Sequence, residues 1–412
     1  MRHLIKNIGL LAGIHPADCL RLCGEAMAGM PTIANAYLLI EDGLISSFGK
    51  LGQWHGEEKV DIETDARGGI VLPSWCDAHT HIVYAGSREQ EFVDKIRGLS
   101  YADIARRGGG ILNSADRLHE TSEDELFRQS MVRVREVMAK GTGCLEIKSG
   151  YGLTTADELK MLRVIRRIKD SIPIKVVSTF LGAHAVGRAF TGRQSEYVDL
   201  VIHEMIPEVT KERLADFIDV FCDEGFFTLG ETERILEAGE KYGLRAKIHA
   251  DELAASGGTA VGVRHYAQSV DHLESAGDEE MALLRDSATM PTVLPGTSFF
   301  LNMPYAPARK MIDAGLGVAI ASDYNPGSTP SGDMRFAVSL GCIKMRLLPE
   351  EAINAATLNG AYAMNLSQSY GSIAVGKVAN LQITKPIPSL SFLPYAYTTP
   401  LIDKIIIRGE LH

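Results

Sequence analysis

Residues 142–186, TGCLEIKSGYGLTTADELKMLRVIRRIKDSIPIKVVSTFLGAHAV, begin and end in short apolar runs with a charged stretch between them. The charged stretch, residues 155–170, has the spacing of an amphipathic helix, and the flanking runs have the length of buried strands. Strands that alternate with helices predict a parallel sheet. Eight such runs in series predict a closed (β/α)8 TIM-like barrel, an α/β fold, and they occupy residues 68–81, 142–152, 174–186, 217–227, 244–252, 269–274, 289–300 and 317–327.

An open, doubly wound sheet is the structural alternative to the barrel. Such a sheet rarely uses eight consecutive units, and the GxGxxG fingerprint of dinucleotide-binding folds is missing from the chain. The barrel is therefore the preferred prediction.

Both ends of the chain are patterned as β-structure. Residues 35–50 predict a hairpin that turns at Asp42-Gly43, and residues 371–388 and 401–411 are also strand-like. We therefore predict one small composite β-sandwich domain from residues 1–65 and 371–412, flanking a barrel domain of residues 66–370. A helix over residues 348–366, with Pro349 in its first turn, is expected to close the barrel.

The composition is that of a soluble globular protein. Of 412 residues, 45% are hydrophobic and 23% charged, which excludes intrinsic disorder, and the net charge of −10 argues against generic binding to nucleic acid or an anionic membrane. The six cysteines are scattered, so we expect free thiols in a reducing compartment. The apolar run Ile8–Ile14 precedes no cleavage site and is predicted to be a strand, and no apolar stretch is long enough for a membrane helix.

Polar clusters follow the apolar runs where barrel strands would end, and the carboxyl ends of such strands meet at one rim. The clusters include DAHTH, GAHAV, HADE, DHLE and SDYNPG. His79 and His81 are two residues apart at a strand end, which places both imidazoles on the same face. Taken alone, this pair is better explained by two polar residues of a barrel interior.

Three further polar residues end predicted strands: His249, His272 and Asp323. Together with His79 and His81 they provide neutral nitrogens and a carboxylate, the donors preferred by zinc and similar divalent ions. A structural zinc site usually closes with four ligands, often cysteine, whereas a site with positions open to water is catalytic. The sequence thus predicts a catalytic metal site in which Asp323 binds the metal and takes a proton from the attacking water.

The same segments resemble the amidohydrolase superfamily and, within it, the imidazolonepropionases. The resemblance extends from about residue 65 to residue 378, and its segments include DAHTHIVYAGSREQEF, HADELAASGGTAVG, LPGTSFFLNMPYAPARKMIDAG and ASDYNPGS. It implies hydrolysis of the ring amide of 4-imidazolone-5-propanoate, a small anionic substrate, to N-formimino-L-glutamate in histidine degradation. It also implies a cytoplasmic homodimer that carries one Zn²⁺ or Fe³⁺ per subunit.

Residue by residue, the resemblance implies four metal ligands, His79, His81, His249 and Asp323. The catalytic residues that it implies are Asp323, His272, Glu252 and His184. The implied substrate contacts are Arg88, Tyr151, His184, Glu252, Asn325, Gly327 and Ser328. His272 would polarise the attacking water or the substrate, and His184 would donate a hydrogen bond to the ring carbonyl.

Each of these roles has a purely structural alternative. Arg88 could instead form a salt bridge with Glu89 or Glu91, and Tyr151 could simply pack over the barrel mouth. His184 could be a core histidine, and Glu252 an acid favoured by a helix N-terminus. Turn chemistry alone explains the sequence Asn-Pro-Gly at residues 325–327, although the donors of this turn would face a ligand at the rim. The triplet Gly108–Gly110 indicates a mobile loop.

Two other functions remain open at this point. A cytosine or guanine aminohydrolase would share the pattern of histidines and aspartate. A metal-free barrel that acts as an assembly scaffold is the alternative from a different class, although such a scaffold would be expected to lose the ligand positions.

Overall fold

The computed structural model describes residues 1–56, 59–99 and 109–412, and a ring of parallel strands lies at its centre. The neighbours in this ring follow the order of the chain, as the alternation of strands and helices predicts. Its strands are β6 (Trp75–Asp77), β7 (Thr142–Lys148), β8 (Lys175–Ala183), β9 (Phe217–Cys222), β10 (Arg245–Ala246), β11 (Ile248–Ala250), β12 (Ser269–His272), β13 (Met290–Val293) and β14 (Ala319–Ile320). All eight predicted runs contribute to the ring, with β10 and β11 as two halves of the fifth, so the predicted barrel is confirmed.

Helices follow the strands and cover the outside of the barrel. The predicted helix of residues 155–170 is present as Thr155–Ser171, and its Thr154 N-cap accepts a hydrogen bond from the amide of Asp157. The α-helices are α1 (Glu89–Ile96), α2 (Ile111–Glu120), α3 (Glu123–Ala139), α4 (Thr155–Ser171), α5 (Gln194–Leu200), α6 (Ile206–Lys211), α7 (Leu229–Lys241), α8 (Gly258–Arg264), α9 (Asp278–Arg285), α10 (Pro295–Leu301), α11 (Ala308–Asp313), α12 (Met334–Met345), α13 (Pro349–Ala356), α14 (Leu358–Ala363) and α15 (Phe392–Tyr395).

The predicted helix over residues 348–366 is two helices, α13 and α14. Thr357 interrupts it with φ of −120° and ψ of −88°, which lie outside the helical region. Pro349 begins α13 as expected, and this helix packs against β14 and β6, the two strands between which the barrel closes. Gly108, the first residue of the predicted mobile loop, lies outside the described residues.

The two ends of the chain meet in a second, mainly antiparallel sheet that surrounds its own apolar cluster. The predicted hairpin is present, with Asp42 and Gly43 both at positive φ as a tight turn requires. Strand β5 pairs with β1 and β15 in this sheet, although the predicted boundary at residue 65 assigned it to the barrel domain. The strands of this sheet are β1 (Arg2–Ala12), β2 (Thr32–Glu41), β3 (Leu44–Lys50), β4 (Ile62–Asp65), β5 (Ile70–Pro73), β15 (Leu381–Thr384), β16 (Ile402–Ile407) and β17 (Glu410–Leu411).

Within the described residues, none of the helices combines the length and the hydrophobicity needed to cross a lipid bilayer.

Candidate active site

The barrel closes between the segments that follow β6 and β14, and these segments carry the predicted metal ligands. The amide of Asp323 donates to the carbonyl of His79 at 3.0 Å, and the amide of His81 donates to the carbonyl of Tyr324 at 2.9 Å. Asp323 has φ of +54°, in the left-handed region that aspartate enters more readily than most residues. The closing hydrogen bonds therefore fix the backbone from which these side chains project.

Four polar atoms from three regions of the chain converge at this rim. Nε2 of His81 lies 3.2 Å from Nε2 of His79 and 3.4 Å from Nε2 of His249. Oδ1 of Asp323 lies 3.6 Å from Nε2 of His79 and 3.7 Å from Nε2 of His81. All four side chains are buried, and the three histidines form a cluster able to hold a metal ion.

Carboxylates lie behind two of the three histidines, and one of them orients the ring of His79. Nδ1 of His79 donates to Oδ2 of Asp271 at 2.6 Å, and Nδ1 of His249 lies 3.0 Å from Oδ2 of Asp219. With its proton on Nδ1, His79 presents the lone pair of Nε2 to the centre. Burial is the main reason that the pKa values of His79, His81 and His249 lie well below the usual value, so these rings are neutral.

The arrangement fits a single divalent ion. Neutral nitrogens whose lone pairs face each other repel unless a cation lies between them. A tetrahedral zinc site with Zn–N bonds of about 2.05 Å separates its nitrogens by about 3.3 Å, close to the observed 3.2 and 3.4 Å. His79, His81, His249 and Asp323 could therefore hold the ion without rearrangement of the rim.

His272 lies beside this centre, with its ring centroid 5.2 Å from that of His249. Its Nδ1 is 3.5 Å from Oε2 of Glu252 and equally far from Oε2 of Glu274. Burial lowers the pKa of His272, but the two carboxylates outweigh burial and raise it to about 10. Burial, with Glu274 and Asp323 nearby, raises the pKa of Glu252 to about 7 although the His272 cation opposes this. The pair thus places a cation next to a carboxyl group that titrates near neutral pH.

A cavity of about 630 Å³ opens above the centre. It brings together every predicted catalytic and substrate-contacting residue, and His79 alone of the predicted ligands lies outside its lining. The predicted residues that line the cavity are His81, Arg88, Tyr151, His184, His249, Glu252, His272, Asp323, Asn325, Gly327 and Ser328.

Arg88 forms a salt bridge and also lines the cavity. Its Nε and Nη2 donate to Oε2 of Glu91 at 2.9 and 2.6 Å, which is one of the salt bridges considered above. The remaining nitrogen, Nη1, faces Gly327 so closely that a Cβ on this glycine would lie 2.3 Å away. The guanidinium is therefore anchored at the cavity wall by one edge and has the other edge next to the turn that carries Gly327.

The hydrogen bonding of His184 favours a different substrate contact from the predicted one. Its Nδ1 donates to the carbonyl of Gly150 at 3.0 Å, and burial is the main reason that its pKa is lowered to about 4. In this neutral tautomer Nε2 is an acceptor, so His184 can receive a hydrogen bond from a ring N–H but cannot donate one to a ring carbonyl. The ring stacks on His81 and lies 5.3 Å from the ring of Tyr151, which is buried at the cavity wall.

The polar groups of the turn after Asp323 form hydrogen bonds with one another. Oδ1 of Asn325 accepts from the amides of Gly327 and Ser328, both at 2.8 Å. Its Nδ2 donates to the carbonyl of Asp323 at 2.7 Å and to Oγ of Ser328 at 2.6 Å. These donors, predicted to face a ligand, are therefore used within the turn, and they hold the backbone on both sides of Asp323 in place.

Sequence reasoning missed the cluster of buried charges inside the barrel, below the metal-binding rim. Lys148 contacts Asp219 at 2.6 Å, Glu146 at 3.1 Å and Asp271 at 3.3 Å, and its pKa is raised because these carboxylates outweigh burial. Lys247 donates to Glu146 and, at 2.9 Å, to the carbonyl of Ala78. Both lysines are fully buried. The signal in the sequence was the presence of lysine and acidic residues within otherwise apolar strands.

Three positioning residues were also missed. Thr297, in α10, donates to Oδ2 of Asp323 at 2.6 Å. Asp223 accepts from the amide of Glu252 at 2.8 Å, and Ser298 donates to Glu274 at 3.4 Å. Each follows a barrel strand, but nothing in the spacing of these residues distinguishes them from ordinary loop residues.

Comparison with known proteins identifies the family. The profile of the amidohydrolase family matches residues 70–411. Imidazolonepropionase of Christiangramia forsetii is 54% identical over 411 residues, covering 100% of both chains. Imidazolonepropionase of Flavobacterium johnsoniae is 53% identical over 408 residues and 99% of both chains.

Solved structures share the fold at low sequence identity. Guanine deaminase of E. coli superposes with a TM-score of 0.75 at 12% identity, covering 100% of this chain and 99% of the other. A zinc-bound adenosine deaminase of Xanthomonas campestris gives 0.70 at 16% identity, covering 99% and 92%. At 53–54% identity over the full length, by contrast, the relatives named above establish the family. The chain belongs to the amidohydrolase family and, within it, to the imidazolonepropionases.

Proposed function

We propose that this enzyme hydrolyses the ring C–N amide bond of 4-imidazolone-5-propanoate to give N-formimino-L-glutamate, as part of histidine degradation. The observation that carries the proposal is the placement of three neutral histidine nitrogens and one carboxylate at one end of a cavity that also contains an anchored arginine. Such a cavity suits a substrate with a reactive ring at one end and an anionic tail at the other.

His79, His81, His249 and Asp323 are proposed to hold one Zn²⁺ or Fe³⁺ ion. Imidazole and carboxylate ligands accept both metals, and the zinc in the related deaminase fold supports the first. When bound, the ion acts as a Lewis acid that makes hydroxide available at neutral pH and polarises the ring carbonyl.

Two carboxyl groups are proposed to carry out the proton transfers of the reaction. Oδ2 of Asp323 is held by Thr297 at 2.6 Å and by Ser328 at 3.2 Å, so this carboxylate is oriented to take the proton of the attacking water. Glu252 has a pKa raised to about 7 by burial, and it is proposed to deliver a proton to the leaving ring nitrogen. The cationic His272 beside it stabilises negative charge as it develops on the carbonyl oxygen.

The substrate is oriented by the remaining cavity residues. Arg88 and Tyr151 bind the propanoate carboxylate, which suits a planar guanidinium and a phenol. Nε2 of His184 accepts a hydrogen bond from a ring N–H. Asn325, Gly327 and Ser328 act through the turn that holds Asp323 and leaves space for Arg88.

The protein is further proposed to be a homodimer in the cytoplasm. All six cysteines are free, which supports a reducing compartment. Light scattering on the purified protein would measure the mass of the assembly directly.

The direct test is a spectrophotometric assay on protein of known metal content. Freshly prepared imidazolone propanoate is added, and loss of the ring absorbance is followed with and without chelator. Chelator-sensitive decay that yields formiminoglutamate is expected. Metal-replete protein that leaves this substrate intact but releases ammonia from guanine or cytosine would replace the proposed activity by nucleobase deamination.

A further inference from the structure

A second cation lies next to Arg88 on the cavity wall. Lys95 is seven residues along α1 from Arg88, a spacing that returns to the same face of the helix after two turns, and its side chain lines the same cavity. Its Nζ donates to the carbonyl of Gly327 at 3.2 Å and lies 5.7 Å from the centroid of the Phe300 ring. Within the described residues, no carboxylate oxygen lies within 4.0 Å of this ammonium group.

The two cations therefore differ in how their charge is balanced. Two nitrogens of Arg88 are bonded to Glu91, and this carboxylate also accepts a hydrogen bond from the amide of Gly110. Among the residues that the structure describes, the ammonium group of Lys95 contacts a carbonyl oxygen and an aromatic face. Burial, with the positive charge of Arg88 close by, lowers the pKa of Lys95. A carboxylate bound at this point would supply the missing negative charge.

The charges of the cavity are also segregated. Arg88 and Lys95 lie at the α1 end, next to Gly327, whereas the carboxyl groups of Glu252 and Asp323 lie around the metal-binding centre. An anionic group is favoured at the α1 end of the cavity. Near Glu252 and Asp323 it is repelled, unless a bound metal ion holds it. The cavity thus orients a molecule that has one carboxylate remote from its reactive ring.

We propose that Lys95 binds the tail carboxylate of the substrate together with Arg88 and so selects for anionic cyclic amides. This inference rests on the function proposed above. The lysine stem is flexible, and the ammonium has three donors, so it can exchange the Gly327 carbonyl for a carboxylate oxygen by a small rotation of its side chain. Arg88, anchored by Glu91, would supply the fixed half of the clamp and Lys95 the adaptable half.

The test compares Lys95→Met with Arg97→Met, using metal-loaded enzyme. Arg97 is an exposed cation directly after α1 and does not line the cavity, so the control removes the same charge from the same helix end. We expect Lys95→Met to raise KM for imidazolone propanoate about tenfold or more, the size of a lost charge-assisted hydrogen bond, and to change kcat less than twofold. Arg97→Met is expected to change neither constant by more than twofold.

A binding measurement separates recognition of the carboxylate from general damage. Calorimetry would compare imidazole-4-propanoate with the uncharged imidazole-4-propanamide. The preference of the wild type for the acid is expected to shrink about tenfold in Lys95→Met, with affinity for the amide unchanged. An unchanged preference for the acid, or an equal loss of both ligands, overturns the assignment of Lys95. A wild-type enzyme without turnover of imidazolone propanoate overturns the proposed function and this inference with it, whereas normal turnover and an unchanged KM in Lys95→Met overturn this inference alone.

Discussion

Nδ1 of His79 donates a 2.6 Å hydrogen bond to Oδ2 of Asp271, a residue 192 positions further along the chain. Both side chains are fully buried, and Asp271 also accepts from Ser269 at 2.5 Å and contacts Lys148 at 3.3 Å. The metal-binding rim and the charged interior of the barrel are therefore joined through one carboxylate. It fixes the tautomer of His79 and directs Nε2 of this ring to the centre.

Replacement of this carboxylate should weaken metal binding. We expect Asp271→Asn to lower the affinity for zinc about 10- to 100-fold, the usual effect of losing such an outer hydrogen bond. The measurement is the zinc retained during equilibrium dialysis against a graded series of chelator concentrations. Asp157→Asn is the matched control because Asp157 pairs with His119 at 2.7 Å away from the cavity. Equal zinc retention in the two variants would contradict the role assigned to Asp271.

Asp323 should be indispensable to turnover. Its carboxylate is proposed both to bind the metal and to accept a proton, and Asp323→Asn removes the second capacity even where some metal binding remains. We expect kcat to fall at least about a hundredfold in samples adjusted to the same metal content. Thr297→Val, which removes the 2.6 Å hydrogen bond to Oδ2 and a 3.0 Å hydrogen bond to Thr329, should give a smaller loss. A rate for Asp323→Asn near that of the wild type would be incompatible with the proton transfer proposed here.

The fold and the residues proposed to bind the metal could be predicted from the sequence because both depend on local periodicity. His79 and His81 share a face by the two-residue repeat of a strand, and the ends of parallel strands bring His249 and Asp323 to the same rim. The hydrogen bonds behind them depend on pairs such as His79 and Asp271, which no local pattern relates. The tautomer of His184 and the closed hydrogen bonding of Asn325 likewise follow from three-dimensional contacts.

Lys148 should be necessary for stability. Its ammonium contacts three buried carboxylates, and Lys148→Met would leave Asp219 without its main counter-charge and Asp271 with Lys247 as its neighbouring lysine. Breaking a buried ion pair from one side costs about 3–5 kcal/mol of unfolding free energy. Urea unfolding should show this loss, whereas Lys140→Met, which removes a more exposed pair with Glu136, should cost less than about 1 kcal/mol. Equal losses in the two variants would show that the interior charges contribute no special stability.

Gly327 should be needed for substrate binding because it leaves space for the side chain of Arg88. A Cβ at this position would lie 2.3 Å from Nη1 of Arg88, and the guanidinium cannot move away without breaking its hydrogen bonds to Glu91. We therefore expect Gly327→Ala, like Arg88→Ala, to raise KM for the anionic substrate with little change in kcat, since a tail contact stabilises ground state and transition state alike. Gly230→Ala is the control, because nothing lies within 4 Å of a Cβ there. A large loss of kcat at unchanged KM would refute the tail contact.

Ionisation of Glu252 should cause the decline of kcat/KM at alkaline pH. Burial, with Glu274 and Asp323 nearby, raises the pKa of this carboxyl to about 7. A group that donates a proton to the leaving nitrogen must be protonated, so kcat/KM should be constant below this pKa and fall about tenfold per pH unit above it. Glu252→Gln cannot donate in this way, so its rate at pH 6 should be about a hundredfold lower and the decline above pH 7 should disappear. A Glu252→Gln enzyme that keeps the alkaline limb would show that another group titrates there, and the proton to the leaving nitrogen would then have to come from a different residue.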